Sequence, residues 1–205
     1  MKNSAKFITL EGVDGAGKTT HIEFIKDYLS NKNIKFLMTR EPGGTKVGEK
    51  LRELLLHDDM TPETETLLMF AARNEHIQKI ILPNLSDGVT VITDRFTDAT
   101  YAYQCEGKSV DEEKITILKK WTHKNLVPDL TLLFDLPVEI SMSRLKNTRT
   151  LDKFEKENQS FHETVRNAYL KLANKENVRF EVIDSTQSIK TIQNKIKSIL
   201  GRLFQ

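Results

Sequence analysis

The stretch Gly12-Val13-Asp14-Gly15-Ala16-Gly17-Lys18-Thr19 brings three glycines, one ammonium and one hydroxyl into a single loop. That set suits the phosphates of a nucleotide. Glycines let the backbone turn its N–H groups inward around an anion, where side chains would clash. Lys18 would bring positive charge to the β- and γ-phosphates, and Thr19 a hydroxyl to Mg2+. Thr20 opens a segment in which Ile22, Ile25 and Leu29 recur at the spacing of one buried helical face. The apolar run Phe7-Ile8-Thr9-Leu10 just before the loop has strand length. Strand, glycine loop and helix in that order form a phosphate cradle, and they predict a nucleoside triphosphate site.

Further along, Asp94 closes the apolar run Val89-Thr90-Val91-Ile92-Thr93. It stands where an acidic partner would order magnesium through water opposite Thr19, with Arg95 facing the phosphates. An ordinary ion pair between the two neighbours is the plainer alternative. Arg40, Arg52, Arg73 and Arg95 fall on strand ends or helices around the same region. Arginine favours a bidentate grip on phosphate, so the group together predicts a second phosphate-bearing ligand, although any one of them could be a surface arginine. Met69 and Arg73 are one helical turn apart, with Phe70 alongside. One apolar or aromatic surface plus one arginine suits a planar base, while an apolar stripe of this kind is also ordinary core. Residues 143–155 are dense in charge of both signs: a solvated loop, or a lid that closes and delivers cations. No Asn-Lys-x-Asp motif occurs, nor His-Arg-Asp with a downstream Asn, nor Asp-Phe-Gly. Guanine-reading switches and protein kinases are thereby set aside.

The elements that must position these residues are legible as a pattern. Apolar runs of strand length at 7–10, 35–39, 89–93, 130–136 and 179–183 alternate with helical periodicity over 19–31, 46–57, 63–85, 111–124, 138–146, 158–175 and 188–204. Such alternation predicts an α/β fold, a parallel sheet with helices on both faces. Ligands then gather beyond the carboxyl ends of the strands. There the runs lead to Glu11 and the loop, to Arg40-Glu41-Pro42-Gly43-Gly44, to Asp94-Arg95 and to Asp135, which predicts that all four converge on one site. With 205 residues and no repeat or linker, a single domain spanning 1–205 is expected. The net charge of +2, with basic residues dispersed, predicts no nucleic-acid partner. The lone Cys105 allows no internal disulfide. No long uncharged apolar stretch and no signal-like start are present, so the expectation is a cytoplasmic protein without a membrane partner.

Three blocks carry a resemblance. Leu10-Glu11-Gly12-Val13-Asp14-Gly15-Ala16-Gly17-Lys18-Thr19-Thr20, Thr39-Arg40-Glu41-Pro42-Gly43-Gly44-Thr45, and Asp94-Arg95-Phe96 with Ala102-Tyr103-Gln104 closely resemble bacterial thymidylate kinases, a family of P-loop nucleoside monophosphate kinases. The likeness implies transfer of the ATP γ-phosphoryl group to dTMP, with Mg2+, a homodimer and a five-stranded parallel sheet. It implies that Asp14 holds the sugar 3′-hydroxyl and that Glu41 and Pro42 line the sugar–phosphate region. Arg52 and Arg95 would grip the acceptor phosphate. Arg73 would donate to a thymine carbonyl, Thr100 and Gln104 would bond the base, and Tyr103 would disfavour a 2′-hydroxyl. Adenine would pass near Asp184-Ser185-Thr186. The family has two forms, with a basic residue in the loop or in the lid. Gly15 occupies the loop place, so the resemblance implies a lid cation, Arg149 first and Arg144 second. The chain departs from the pattern at Met69, where a phenylalanine stacks on the base, and at Ala99, Cys105 and Lys153, in place of serine, glycine and arginine. Either Met69 or Phe70 would stack. A kinase for another nucleotide, or an ATP-binding switch that hydrolyses slowly, remain the competing readings.

Overall fold

The structure is a computed structural model that describes residues 5–146 and 152–205. Five parallel strands form one sheet in the order β2-β3-β1-β4-β5. They are β1 (Phe7–Glu11), β2 (Phe36–Arg40), β3 (Thr90–Asp94), β4 (Leu130–Asp135) and β5 (Phe180–Asp184). Register is tight at the carboxyl edge, where Leu10 pairs with Asp94, and Arg40 with Asp94 from the other side. The expected α/β architecture and its strand positions are therefore observed, each within a residue of its apolar run.

Helices cover both faces because the strand residues alternate between two apolar clusters. Ile8 and Leu10 join the large cluster that includes Ile25 and Leu29 of α1 (Lys18–Asn31) and Ile196 and Ile199 of α9 (Ile189–Leu203). Phe7 instead meets Val91, Phe96, Ile77 and Ile81. Each such side chain contributes about 1.5–3 kcal/mol by leaving water. In α1 the buried line runs Lys18, His21, Ile25, Leu29, so His21 replaces the expected Ile22, which is only partly covered.

Several of the other helices start on a polar side-chain cap. Thr45 caps α2 (Lys46–His57) by accepting from the Gly48 amide, Thr61 caps α3 (Pro62–His76), and Asn158 caps α8 (Gln159–Lys175). Asp111 caps α6 (Glu112–His123), and α7 spans Val138–Lys146. The single helix expected over 63–85 is three pieces: α3, a wide π turn at Ile77–Ile81, and α4 (Leu82–Ser86). Pro83 lies just past the wide turn, and a proline there has no N–H for the preceding turn and crowds its carbonyl, which accounts for the widening.

A helical element absent from the sequence reading follows β3. It is α5 (Thr97–Thr100), which continues as a π segment over Tyr101–Gly107. Threonines, tyrosines and a glycine give little helix propensity and no clean period. Tertiary contacts hold it instead. Arg179 Nη1 and Nη2 donate to Asp98 Oδ2 and Oδ1 at 2.7 and 2.8 Å, and Nη1 also donates to Thr131 Oγ1 at 2.6 Å. Both charged side chains are almost fully covered, Arg179 10% and Asp98 6% exposed. Arg179→Met leaves Asp98 buried without its partner, an effect of about 3–5 kcal/mol. Urea unfolding should show that loss, and Asp98→Asn combined with Arg179→Met should recover part of it.

Candidate active site

Beyond the carboxyl edge lies a cavity of about 690 Å3 that runs from the phosphate loop to α3 and the π segment. The loop is bent by backbone that only glycine takes easily. Gly12 has φ +134°, and a Cβ there would collide with the Phe134 carbonyl oxygen. Gly15 has φ +78°, and its Cβ would lie 2.7 Å from the Ser141 carbonyl oxygen. Ser141 Oγ in turn donates to the Asp14 carbonyl at 2.6 Å, so α7 fastens the loop. Val13 and Ala16 are buried and support it from below, although Val13 is not on the cavity wall.

Lys18 begins α1 beneath the loop, where Nζ donates to the carbonyl oxygens of Gly12 and Val13 at 3.0 and 3.3 Å. Burial, with Arg95 nearby, pulls its ammonium below the ordinary lysine value, while Asp94 and Asp14 oppose the shift. Gly17, Thr19 and Thr20 complete the wall at this end. Asp94 Oδ1 is buried with no hydrogen-bond partner among the described residues, and the carboxylate lines the same wall. An orphaned carboxylate oxygen on a wall shared with Thr19 fits a hydrated Mg2+, which takes oxygen ligands and keeps most of its waters. No cluster of three metal-binding His, Cys, Asp or Glu side chains occurs among the described residues.

Arg95 does not pair with Asp94. It takes φ +68°, a left-handed conformation rare for a long side chain, and reaches across the cavity. Nη2 donates to Asp14 Oδ1 at 2.8 Å and to Tyr103 Oη at 3.0 Å, and Nη1 to Tyr169 Oη at 3.2 Å. Tyr103 Oη donates in turn to Asp14 Oδ2 at 3.1 Å. Burial alone would raise the Asp14 carboxyl, but Arg95 and then Lys18 outweigh it and hold Asp14 well below the usual carboxylate range.

At the far end Arg73 is 3% exposed and its fork is fully directed. Nε donates to Glu41 Oε2 at 2.7 Å, Nη1 to Thr100 Oγ1 at 3.0 Å and Nη2 to the Phe96 carbonyl at 3.0 Å. Glu41 Oε1 meets His76 Nδ1 at 2.8 Å. Arg52 Nη1 donates to the Pro42 carbonyl at 2.9 Å, and Arg40, also on the cavity wall, pairs with Glu49 at 2.7 Å. Met69, Ala99, Thr100, Tyr103 and Gln104 line the wall with Arg73. Phe70 does not: its ring is buried against Val110 and Ile115, and its face lies 5.0 Å from the Arg73 guanidinium carbon. Of the two stacking candidates, only Met69 faces the cavity, because Arg73 and Met69 share one side of α3 and Phe70 the next.

Two of the four strand-end acids are also not on this wall. Asp135 is bound by Arg166, with Nε and Nη2 at 2.7 and 2.9 Å. Glu11 is fully buried under the cavity, accepting from the Phe96 amide at 2.7 Å and from Tyr169 Oη at 2.8 Å. In the lid segment, Arg149 and residues 147–151 lie outside the described residues. Arg144 bridges the loop and β5's end by donating to the Gly15 and Ser185 carbonyls, both at 3.4 Å. Asp152, Phe154 and Glu155 return to the cavity wall, and Lys153 is engaged elsewhere, with Glu65 at 3.0 Å. The sequence reading missed Glu65 and Phe154. Glu65 carries no motif, and its importance shows only in what it touches.

The profile of a family described as thymidylate kinase matches residues 10–196. This chain belongs to the thymidylate kinase family. A thymidylate kinase of Methylobacillus flagellatus is 54% identical over 195 residues, covering 95% of this chain and 96% of the relative. One of a Janthinobacterium species is 52% identical over 198 residues, covering 97% of each. One of Neisseria meningitidis serogroup B is 49% identical over 205 residues, covering 97% of this chain and 98% of the relative. The family pattern of a basic residue inside the loop is closed to this member on steric grounds, since any side chain at Gly15 would run into Ser141.

Burial, with Asp98 nearby, pushes the Glu11 carboxyl up from 4.5 to about 8, against the opposing pull of Arg95 and Tyr169. The folded protein then holds this proton more tightly than the unfolded chain. The stability it brings is full below about pH 4.5 and is lost as pH rises toward about 8. Glu11→Gln removes the charge, keeping the Phe96 amide bond on its carbonyl oxygen and reversing the other, with its NH2 group donating to Tyr169 Oη. Urea unfolding at pH 5, 7 and 9 should show a flatter profile, with the variant ahead of the wild type by at least ~1 kcal/mol at pH 9.

Proposed function

We propose that this protein transfers the γ-phosphoryl group of ATP to dTMP, giving dTDP and ADP. One observation carries the reading: a single cavity has the phosphate loop at one end and the Arg73, Thr100 and Gln104 donors and acceptors at the other, with Arg95 and Asp14 between them. Such an arrangement of cations and polar groups suits a donor triphosphate and an acceptor nucleotide end to end. Membership of a family whose named relatives are thymidylate kinases supports the identity of the acceptor. The π segment that carries Tyr103 and Gln104 supports it physically, because the wide turn presents consecutive side chains to the same wall.

In this reading the loop amides and Lys18 take the ATP phosphates, while Arg52 and Arg95 align the dTMP phosphate for in-line attack. An oxygen of the acceptor phosphate forms the new bond to the γ-phosphorus as the bond to the β-bridging oxygen breaks. That oxygen is already ionised at neutral pH, so no general base is needed. Mg2+ held by Thr19 and, through water, by Asp94 would neutralise charge on the β- and γ-phosphates. Asp14, held ionised by Arg95, accepts from the 3′-hydroxyl, and the Tyr103 ring excludes a 2′-hydroxyl. Met69 covers one face of thymine through its polarizable sulfur. Arg73 donates to its 4-carbonyl. Adenine lies beside Arg144 and Ser185. The lid over 143–155 completes one kinase domain spanning 1–205 and brings Arg149 to the migrating group. A homodimer and a cytoplasmic location complete the reading. In support of the dimer, Ile117 and Trp121, one turn apart on α6, are 57% and 77% exposed. No helix of the described residues is long and apolar enough to cross a membrane.

A coupled assay of ADP release, with and without dTMP, tests the reaction. A large acceptor-dependent rate is expected, and ADP release indifferent to dTMP sinks the proposal. Lys18→Ala should lower kcat by ~10³-fold, the scale of losing one preorganised cation. Arg149→Ala should lower kcat far more than it raises the dTMP KM, whereas Arg144→Ala should act mainly on the KM for ATP.

A further inference from the structure

Glu65 of α3 is completely buried, yet three donors converge on it from different parts of the fold. Gln104 Nε2 donates to Oε1 at 3.0 Å. Lys108, just past the π segment, and Lys153, at the end of the lid segment, both reach Oε2 at 3.0 Å. The two carboxylate oxygens are thus divided, one for the amide and one for the ammonium pair. Lys153 also donates to the Asp58 carbonyl at 3.1 Å, which ties the lid's return strand of chain to the end of α2. Both ammonium groups flank the Phe154 ring, at 4.7 and 5.4 Å from its centre.

An ionised carboxylate only accepts hydrogen bonds, so Gln104 must turn its NH2 group toward Glu65. The amide's acceptor, Oε1, is what then remains for the cavity that Gln104 lines. We infer that Glu65 is a positioning residue for base selection: by fixing the polarity of the Gln104 amide, it makes the pocket demand a base with N–H at ring position 3, and reject one whose N3 is an acceptor. The inference rests on the reading of this cavity as the thymine pocket. Thymine and uracil meet the demand. Cytosine does not, because its N3 lone pair would face Oε1 with no proton between them, and an unmatched buried polar pair is where discrimination is strongest.

The division of the oxygens makes the test directional. In Glu65→Gln, both ammonium groups claim the surviving oxygen, which places the new NH2 group opposite Gln104. Gln104 must then reverse, accept with Oε1, and present Nε2 to the base. Steady-state kinetics with dTMP and with 5-methyl-dCMP, which differ only at ring positions 3 and 4, read the outcome. The ratio of their kcat/KM values should fall at least tenfold in Glu65→Gln, with dTMP losing and 5-methyl-dCMP gaining. Equal losses on both substrates, with the ratio unchanged, would show Glu65 to be merely structural and overturn the inference.

The double variant Glu65→Gln with Gln104→Glu restores an acceptor-only group toward the base while keeping every heavy-atom position of the pair. It should return the ratio to within about threefold of the wild type, and a ratio that stays low overturns the inference as well. If the single variant does not fold, the double variant carries the test by the same criterion. Failure of the wild type to prefer dTMP in the first place would instead count against the function proposed above, so the two failures are distinguishable.

Discussion

A cation can be kept ready inside a protein only if something answers its charge until the ligand arrives. A buried unpaired ion is too costly to persist, and it would lose its proton or drag water in. A protein that must hold two phosphate-bearing molecules nose to tail faces this repeatedly, because it needs several cations in one enclosed space. Here each is answered differently. Lys18 is held by two loop carbonyls, Arg95 by Asp14 and two tyrosine hydroxyls, and Arg73 by Glu41, Thr100 and a carbonyl. The carbonyls are weak partners that a phosphate oxygen can readily replace. Arg73 is held by a buried carboxylate, and its role is to keep a fixed direction.

This requirement also shapes the fold around the cavity. The carboxyl ends of the strands are where loop amides and strand-end residues can be brought together, and β1 and β3, adjacent in the sheet, supply the loop and the Asp94-Arg95 pair. The left-handed turn at Arg95 is the local strain that swings its side chain over the loop toward Asp14. Tyr169, on α8, braces both Arg95 and the buried Glu11, so the helix behind the sheet sets the height of a residue in front of it.

Much of the architecture was legible because its signals are local. Apolar runs bounded by glycine and proline gave the strands, and the glycine loop could be recognised from spacing alone. The 97–107 helix was not legible, since Arg179, distant in sequence, supplies through Asp98 what Thr97, Thr100 and Gly107 lack in propensity. Within the site, Glu41, Pro42, Arg52, Arg73, Thr100, Tyr103 and Gln104, the residues that the family likeness implied, all line the cavity. Periodicity could not choose between Met69 and Phe70, which differ by one helical step, and the tertiary position of α6 decides between them by enclosing Phe70 with Ile115. Strand-end acids were over-read for a similar reason. Glu11 and Asp135 occupy the right edge of the sheet, but the strand pleat and the partners Tyr169 and Arg166 turn them away.

Three carboxylates stand behind the wall or within it, on different elements: the partly covered Asp14 in the loop, and the buried Glu41 after β2 and Glu65 on α3. Each holds at least one donor that lines the cavity: Arg95 and Tyr103, Arg73, and Gln104. For stability alone, apolar replacements of matching shape would serve as well or better, since ionised groups give up hydration when buried. Their value is directional. A guanidinium or amide on an apolar wall could rotate among several orientations, and ordering it at the moment of binding would cost affinity. Fixed by a carboxylate, it meets the ligand already oriented. Recognition in this cavity is therefore written in two layers, and the inner one decides which way the outer one points. A substitution on the wall removes one contact, whereas a substitution at an inner carboxylate changes what several wall residues offer.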